Sequence, residues 1–374
     1  VLFCSDNRFT QLPESIGQCQ ALEMVGFKAN RIRTVPAAAL QLPALRWLIL
    51  TDNQIETLPE ALGQCTAMQK LMLAGNRLRA LPESLAACGR LELLRISANN
   101  FEALPAWLLA LPRLSWLAGA GNPFDMQAEE AAIAAQSVPH VDWCDLRLGP
   151  KLGEGASGVI HQAVLGPASQ PVAVKLFKGA VTSDGWPHSE MAATIAGGAH
   201  PTLIAAQSRI DGHPDGTQGL VMALVDPSFR TLAGPPNLTS CTRDVYAADA
   251  QWTSGVALRI AHDIASAMQH LHARGILHGD LYAHNILWNA QGGGLLGDFG
   301  AAWMTGALDP AQARAMQRLE MRAFGCLLEE LLERCSDAPP QAMAALRDHC
   351  MQADVSARPS FAEALALLQG ELSP

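Results

Sequence analysis

An asparagine recurs every 23 residues along the N-terminal part of the chain. It occupies six positions: Asn7, Asn30, Asn53, Asn76, Asn99 and Asn122. Leucine or valine followed by proline comes five residues after each of the first five asparagines, and apolar residues stand eight, five and three residues before the inner ones. A short repeat of this kind buries its apolar side only against neighbouring copies, so the copies must stack in chain order.

The repeated pattern L-x-x-L-x-L-x-x-N-x-[ILF]-x-x-L-P resembles the leucine-rich repeat over residues 1–124. The resemblance implies an α/β solenoid in which each copy gives one short strand and the asparagines bond backbone groups as scaffold. The chain begins at Val1 inside a repeat, so we expect an N-terminal part of the repeats to be missing. Residues 125–142 are predicted to form a C-terminal cap and a linker.

Alternation along a strand puts the residues six, four and two positions before each asparagine on the side opposite the core. We call this side the concave face, and its candidate contact residues are Trp47, Ile49, Met72, Arg95 and Trp116. Large exposed apolar side chains usually mark an interface. We therefore predict that the concave face binds a protein, either a substrate or a regulator. Packing against the second half of the same chain is the alternative.

Composition excludes several classes of function. A net charge of −9 argues against a general nucleic-acid-binding protein. No apolar run approaches the roughly 18 residues that a membrane span needs. Nine cysteines without a C-x-x-C pair are typical of a reducing compartment. We expect a cytoplasmic location, and delivery into another cell is left open.

A glycine-rich stretch opens the second half at residues 153–158 (GEGASG), and the run 172–175 (VAVK) follows it. Glycines let backbone amides approach phosphate groups, and a lysine at the end of a buried strand can hold the α- and β-phosphates. Glu190 lies fifteen residues after Lys175 in a helical pattern, where its carboxylate can pair with the lysine.

Further motifs follow in order at residues 278–285 (HGDLYAHN), 297–300 (GDFG) and 358–361 (RPSF). Together with the glycine-rich stretch, they resemble the eukaryotic-like protein kinases over about residues 143–372. The resemblance implies a bilobal α+β domain at 143–374, with an N-lobe at 143–222 and a C-lobe at 226–374.

The resemblance also implies roles for individual residues. Asp280 would take the proton of the acceptor hydroxyl, with Lys175 and Glu190 completing the catalytic set. Asn285 and Asp298 would hold magnesium. The predicted ATP-binding residues are Gly153, Glu154, Gly155, Gly158, Ile160, Ala173, Lys175, Met222, Ala223 and Val225.

Several positions depart from the family pattern. Gly279 replaces the arginine of H-R-D, Tyr282 stands where serine/threonine kinases place a lysine, and Glu320 stands where an aspartate is usual. Thr305 is the only hydroxyl residue between Phe299 and Glu320, and the A-P-E motif is missing. We therefore predict an activity that is constitutive or set through the repeats, not by phosphorylation of this segment.

Three functions stay open on these residues. The complete motif set favours an ATP-dependent protein kinase of the serine/threonine type. The sequence H-G-D-L with an asparagine five residues after the aspartate is also typical of aminoglycoside and choline phosphotransferases, which makes a small-molecule kinase the first alternative. The second alternative is a scaffold with the kinase fold and little catalysis.

Overall fold

The first part of the chain is a parallel sheet of six strands in chain order. The computed structural model describes residues 1–135 and 138–372. The strands are β1 (Leu2–Phe3), β2 (Met24–Gly26), β3 (Trp47–Ile49), β4 (Lys70–Met72), β5 (Leu93–Arg95) and β6 (Trp116–Ala118). Neighbouring strands pair with the 23-residue register that the asparagines predict, as in Leu48 with Leu71 and Leu71 with Leu94.

Short 3-10 helices return the chain from one strand to the next. They span Glu14–Gln18, Ala37–Leu40, Glu60–Gln64, Glu83–Ala87 and Ala106–Ala110. Each begins directly after the proline of its repeat, whose fixed φ suits the entry to a helix and whose missing N–H costs nothing there. The recurring Leu-Pro pair therefore sets where each helix begins.

The asparagines link successive repeats through the backbone, as the sequence predicts. The amide nitrogen of Asn53 donates to the carbonyl oxygens of Phe27 (2.9 Å) and Leu50 (3.1 Å), and its side-chain oxygen accepts from the Ile32 amide (2.9 Å). Asn30, Asn76, Asn99 and Asn122 repeat this arrangement in their own copies. A buried side-chain amide needs partners for both of its polar atoms, and here the backbone supplies them. The recurring asparagines are therefore structural residues.

The predicted cap and linker differ from the structure at both ends. Helix α1 spans Pro123–Ala134 and so begins directly after Asn122 rather than at residue 125. Strand β7 (His140–Asp142), which the sequence assigns to the linker, pairs in parallel with the later strand β11 (Ala206–Asp211) and belongs to the second sheet. Three residues are too short for a recognisable strand period. Residues 136–137 of the predicted linker lie outside the described part.

The second sheet has the order β7-β11-β12-β10-β9-β8. Its other strands are β8 (Leu146–Glu154), β9 (Gly158–Leu165), β10 (Gln170–Phe177) and β12 (Gly219–Ala223), and helix α2 spans Pro187–Gly197. A 3-10 helix, Trp143–Asp145, precedes β8. The glycine-rich stretch thus forms the turn between β8 and β9, and the lysine run lies in a central strand.

Helices dominate the rest of the chain. They are α3 (Ser254–Ala273), α4 (Pro310–Leu332), α5 (Gln341–Cys350) and α6 (Phe361–Leu372). Five short strands accompany them: β13 (Arg230–Thr231), β14 (Ile276–Leu277), β15 (Ile286–Trp288), β16 (Gly294–Leu296) and β17 (Trp303–Met304). The 3-10 helices Ala283–Asn285 and Val355–Ala357 complete this part. Among the described residues, no helix is long and apolar enough to span a bilayer.

The concave face lies against the helical part of the same chain. Met72, Leu93 and Trp116 are buried in one apolar core with residues of α3 and α4, and Trp47 and Ile49 pack at its edge while remaining half-exposed. The expectation that this whole face is exposed is wrong, because side chains far along the chain cover it. For example, the Trp116 indole donates to the Leu281 carbonyl (2.9 Å), and its ring stacks on that of Tyr282. Binding of a separate protein to this face stays a prediction.

A buried carboxyl pair at the start of α1 should make stability depend on pH. Asp125 accepts from the Met304 amide (3.2 Å) and lies beside the buried Glu129. Burial, followed by the charge of Glu129, raises the pKa of Asp125 to about 9. Between the unfolded pKa near 4 and this value, the folded chain holds a proton that the unfolded chain releases. As the pH rises through this range, titration of Asp125 should therefore lower the free energy of unfolding by up to about 1.4 kcal/mol for each pH unit.

Replacing Asp125 by asparagine removes this titration, so Asp125→Asn should melt at a higher temperature than wild type at pH 8 and at nearly the same temperature at pH 4. Melting curves between pH 4 and pH 8 measure the difference. Glu130→Gln, at an exposed position of the same helix, should keep the wild-type slope. An unchanged slope in Asp125→Asn would show that the folded chain does not hold this proton.

Candidate active site

A cavity of about 340 Å³ lies between the second sheet and residues 297–300. Six of the ten predicted ATP-binding residues line it: Glu154, Gly155, Gly158, Ile160, Lys175 and Met222. The other four, Gly153, Ala173, Ala223 and Val225, are not part of its lining. Ala173 pairs with Met222 and lies two residues before Lys175, so its side chain is on the face of the sheet that carries both of these lining residues.

Lys175 and Glu190 meet in this cavity. Lys175 lies on β10 and Glu190 in the first turns of α2, and their charged groups form an ion pair with both side chains largely buried. Burial raises the pKa of Glu190, and the Lys175 ammonium opposes that shift. Among the described residues, the second carboxylate oxygen of Glu190 has no hydrogen-bond partner. The pair holds the lysine where a phosphate group can reach it.

The glycine-rich turn leaves open space above the cavity. A Cβ added at Gly153 or Gly155 would meet nothing within 4 Å, whereas one at Gly158 would lie 2.6 Å from the Leu176 carbonyl oxygen. Gly158 is therefore needed for strand packing, whereas Gly153 and Gly155 border open space. Lys178, which the sequence did not single out, donates to Glu154 (2.7 Å) and to the Gly155 carbonyl (3.0 Å) and so holds the turn.

The loop at 278–285 brings Asp280 and Asn285 together. The Asn285 amide nitrogen donates to the Asp280 backbone oxygen and to its Oδ2, both at 2.9 Å. His278 Nε2 lies 3.0 Å from the Gly297 oxygen, which ties the loop to the residue before Asp298. The Gly297 amide in turn donates to the Asn285 carbonyl (3.0 Å).

Glu320 anchors the same loop from α4. One of its oxygens accepts from the Gly279 amide (2.6 Å), and the other lies 2.7 Å from His272 Nε2. The glutamate that departs from the family pattern therefore supports the loop at 278–285, which we call the catalytic loop after its resemblance to the kinase motif. The glutamate side chain is longer than the usual aspartate and spans the distance from α4 to the backbone of the loop.

Asp298 completes the predicted set. It lines the cavity in a left-handed backbone conformation (φ 56°) and accepts from the Gly300 amide (3.1 Å). A carboxylate at Asp298 and an amide at Asn285 offer the oxygen ligands that magnesium prefers. Asp184, Glu154 and Glu190 add three further carboxylates to the lining, so the residues present fit a divalent cation with nucleotide phosphates.

Residues 146–318 match the family model of the protein kinase domain. The chain contains a protein kinase domain. A search of curated proteins found no match. The matched range contains Lys175, Glu190, Asp280, Asn285 and Asp298, and the match supports ATP-dependent protein kinase activity in general terms.

The repeats contribute a residue that the sequence did not connect with the kinase site. Arg95, predicted as a contact residue for a partner, is only 2% exposed, and its guanidinium is directed at the catalytic loop. Its Nε donates to Asp184 Oδ1 (2.7 Å), its Nη1 to the Gly279 carbonyl (3.0 Å) and its Nη2 to Asp280 Oδ1. Arg95 and Asp280 are 185 positions apart, so no local signal could have revealed this contact.

The Arg95 guanidinium changes the pKa values of the two carboxyl groups that it contacts, Asp280 and Asp184. Burial alone would raise the pKa of Asp280, but the Arg95 guanidinium and nearby histidines lower it overall. Burial raises the pKa of Asp184, and Arg95 only partly offsets this. Asp280 thus stays ionised at neutral pH, as an acceptor for a hydroxyl proton requires.

Tyr282 packs under the repeats. Its ring stacks on that of Trp116 with 4.2 Å between centroids and 8° between planes, and the Trp116 indole donates to the Leu281 carbonyl (2.9 Å). The Tyr282 hydroxyl is buried, and it has no hydrogen-bond partner within the described part of the chain. Tyr282 therefore serves the interface and does not replace the family's lysine.

Thr305 follows β17 and is buried. Its hydroxyl donates to the Gly275 carbonyl (3.0 Å), and its amide donates to the same oxygen (2.8 Å). A kinase would have to displace this segment to modify it. The prediction that phosphorylation of Thr305 is not a switch is consistent with this placement.

Proposed function

We propose that the chain is a protein kinase that transfers the γ-phosphate of ATP to a serine or threonine hydroxyl of a protein. The observation that carries the proposal is the meeting of the Lys175–Glu190 ion pair with Asp298 in one cavity. The Asp280–Asn285 pair lies beside it, joined through Gly297. Together these residues supply a phosphate-binding cation, metal ligands and a proton acceptor, which phosphoryl transfer requires.

The residues divide the work. Lys175 and the turn at 153–158 would bind the phosphates, and Asp280 would orient the acceptor hydroxyl. As the hydroxyl oxygen bonds to the γ-phosphorus and the bond to the β–γ bridging oxygen breaks, Asp280 would receive the hydroxyl proton. Magnesium, held by Asn285 and Asp298, would neutralise charge on the phosphates. The choice of serine or threonine rests on the complete motif set, and Tyr282, which stands where serine/threonine kinases place a lysine, departs from that pattern.

We also propose that the N-terminal sheet is a stack of leucine-rich repeats that recruits a protein substrate or regulator. Trp47 and Ile49 stay half-exposed, whereas Trp116 and Arg95 are buried at the other end of the concave face. The N-terminal end of the face is therefore where a partner can reach it.

All nine cysteines are free, which supports a reducing, cytoplasmic location.

Transfer from radiolabelled ATP tests the proposal. The purified full chain is offered generic protein substrates, aminoglycosides and choline in parallel, and labelled protein is hydrolysed to identify the phosphorylated residue. We expect label on serine or threonine, reduced about 10²-fold or more in Lys175→Met because an electrostatic contact to the phosphates is lost. Lys28→Met in the repeats is the matched control.

Label on small molecules alone would overturn the proposal and indicate a small-molecule phosphotransferase. ATP binding without any phosphate transfer would indicate a scaffold with the kinase fold. Label on tyrosine would show that the chain is a protein kinase with a different acceptor residue.

A further inference from the structure

The Asp280 carboxylate is held from two sides. Asn285 donates to Oδ2 from within the catalytic loop, and Arg95 donates to Oδ1 from strand β5 of the repeats. The same guanidinium holds Gly279 and Asp184. A planar guanidinium can join several acceptors in a fixed geometry, and a lysine at the same place would offer only a point charge.

The repeats are fixed on this site by more than one contact. Glu92 accepts from the Thr242 hydroxyl, and the Ser115 hydroxyl lies 3.1 Å from Arg322 Nη1 in α4. Trp116 stacks on Tyr282 nearby, in an apolar core that both parts of the chain share. A contact surface that is apolar at its centre and hydrogen-bonded around it is typical of a permanent interface.

Gly279 explains how the repeats come so close. Its backbone is left-handed (φ 71°), and an added Cβ would lie 2.3 Å from the Ala301 carbonyl oxygen and 2.8 Å from the Leu117 carbonyl oxygen of β6. A side chain at this position would therefore clash both within the second half of the chain and with the repeats. The position where the kinase pattern has arginine is therefore glycine, and an arginine from the repeats binds its carbonyl oxygen.

We propose that Arg95 is a positioning residue of the phosphotransfer site, supplied by the repeats. It holds the Asp280 carboxylate and the Gly279 peptide in the orientation that an acceptor hydroxyl needs. It also separates the negative charges of Asp184 and Asp280, which would otherwise repel each other at close range. The inference rests on the proposed kinase function.

Arg95→Ala and Arg95→Lys in the full chain test this role. We expect Arg95→Ala to lower kcat about 10²-fold with KM for ATP changed less than about threefold, because one fixed hydrogen-bonding cation is lost near the reacting atoms. Arg95→Lys should lose about tenfold, because the ammonium cannot join all three acceptors. Guanidinium ion should restore part of the activity of Arg95→Ala and none of that of Arg95→Lys. Arg77→Ala, at an exposed position of the repeats, is the control.

The outcomes separate the alternatives. A kcat that stays unchanged or rises in both Arg95 variants would overturn the inference, and a rise would make Arg95 an autoinhibitory plug. Loss of ATP affinity in step with kcat, without rescue by guanidinium, would assign Arg95 a purely structural role and also overturn it. If wild type transfers no phosphate at all, the proposed function fails first and this inference fails with it.

Discussion

Replacing Asp280 by asparagine should lower kcat for phosphate transfer by about 10³-fold, the usual contribution of a positioned proton acceptor. An amide cannot take the hydroxyl proton, so the chemical step slows. The asparagine oxygen can still accept from Arg95, and Asn285 still donates to the backbone oxygen of residue 280. The loop should therefore keep its shape, and KM for ATP should change little.

Steady-state kinetics with ATP as the varied substrate measure this effect. Asp215→Asn, at an exposed position of the kinase domain, should leave both constants unchanged. A kcat within tenfold of wild type in Asp280→Asn would show that another group accepts the proton, and the assignment of Asp280 would then be wrong.

Removing the indole of Trp116 should destabilise the chain more than removing any other side chain of the concave face. Trp116 is 1% exposed, stacks on Tyr282 and donates to Leu281. Trp116→Ala should lower the free energy of unfolding by about 3–5 kcal/mol, the typical cost of emptying a large buried site. Phosphate transfer should fall with it, because the repeats would no longer hold Arg95 against the catalytic loop.

Trp47→Ala provides the matched comparison. Trp47 lies on the same face but is only partly buried, so its loss should cost less than that of Trp116, about 1–2 kcal/mol, and leave kcat unchanged. Chemical denaturation of both variants gives the two free energies. Equal losses would mean that Trp116 is exposed in solution and that the repeats do not pack on the kinase domain.

Local patterns predicted the repeats closely. The asparagine spacing gave the strand register because each strand pairs only with its sequence neighbours, and the core positions follow from alternation along each strand. The ion pair of Lys175 with Glu190 and the contact of Asp280 with Asn285 were also predictable, because each pair lies within one motif or two adjacent elements.

The contacts between the two parts of the chain could not be predicted in the same way. Arg95, Gly279 and Asp184 come from three separate segments, and the packing of one domain on the other decides that they meet. The sequence identified Arg95 and Trp116 as candidate contact residues on the concave face, but no local period says what covers them. The departure at Gly279 was visible, and the structure gives it a physical reason: the backbone there is left-handed, and the carbonyl oxygens of Ala301 and Leu117 both come close to it.

The central claim is that the repeats pack on the catalytic loop, and a double-mutant cycle between Trp116 and Tyr282 tests it most directly. The free energy of unfolding is measured for Trp116→Ala, Tyr282→Ala and the double variant. Two stacked rings should give a coupling energy of about 1 kcal/mol across the 166 positions that separate them. Additive losses, with no coupling, would show that the two rings do not meet and would contradict the account.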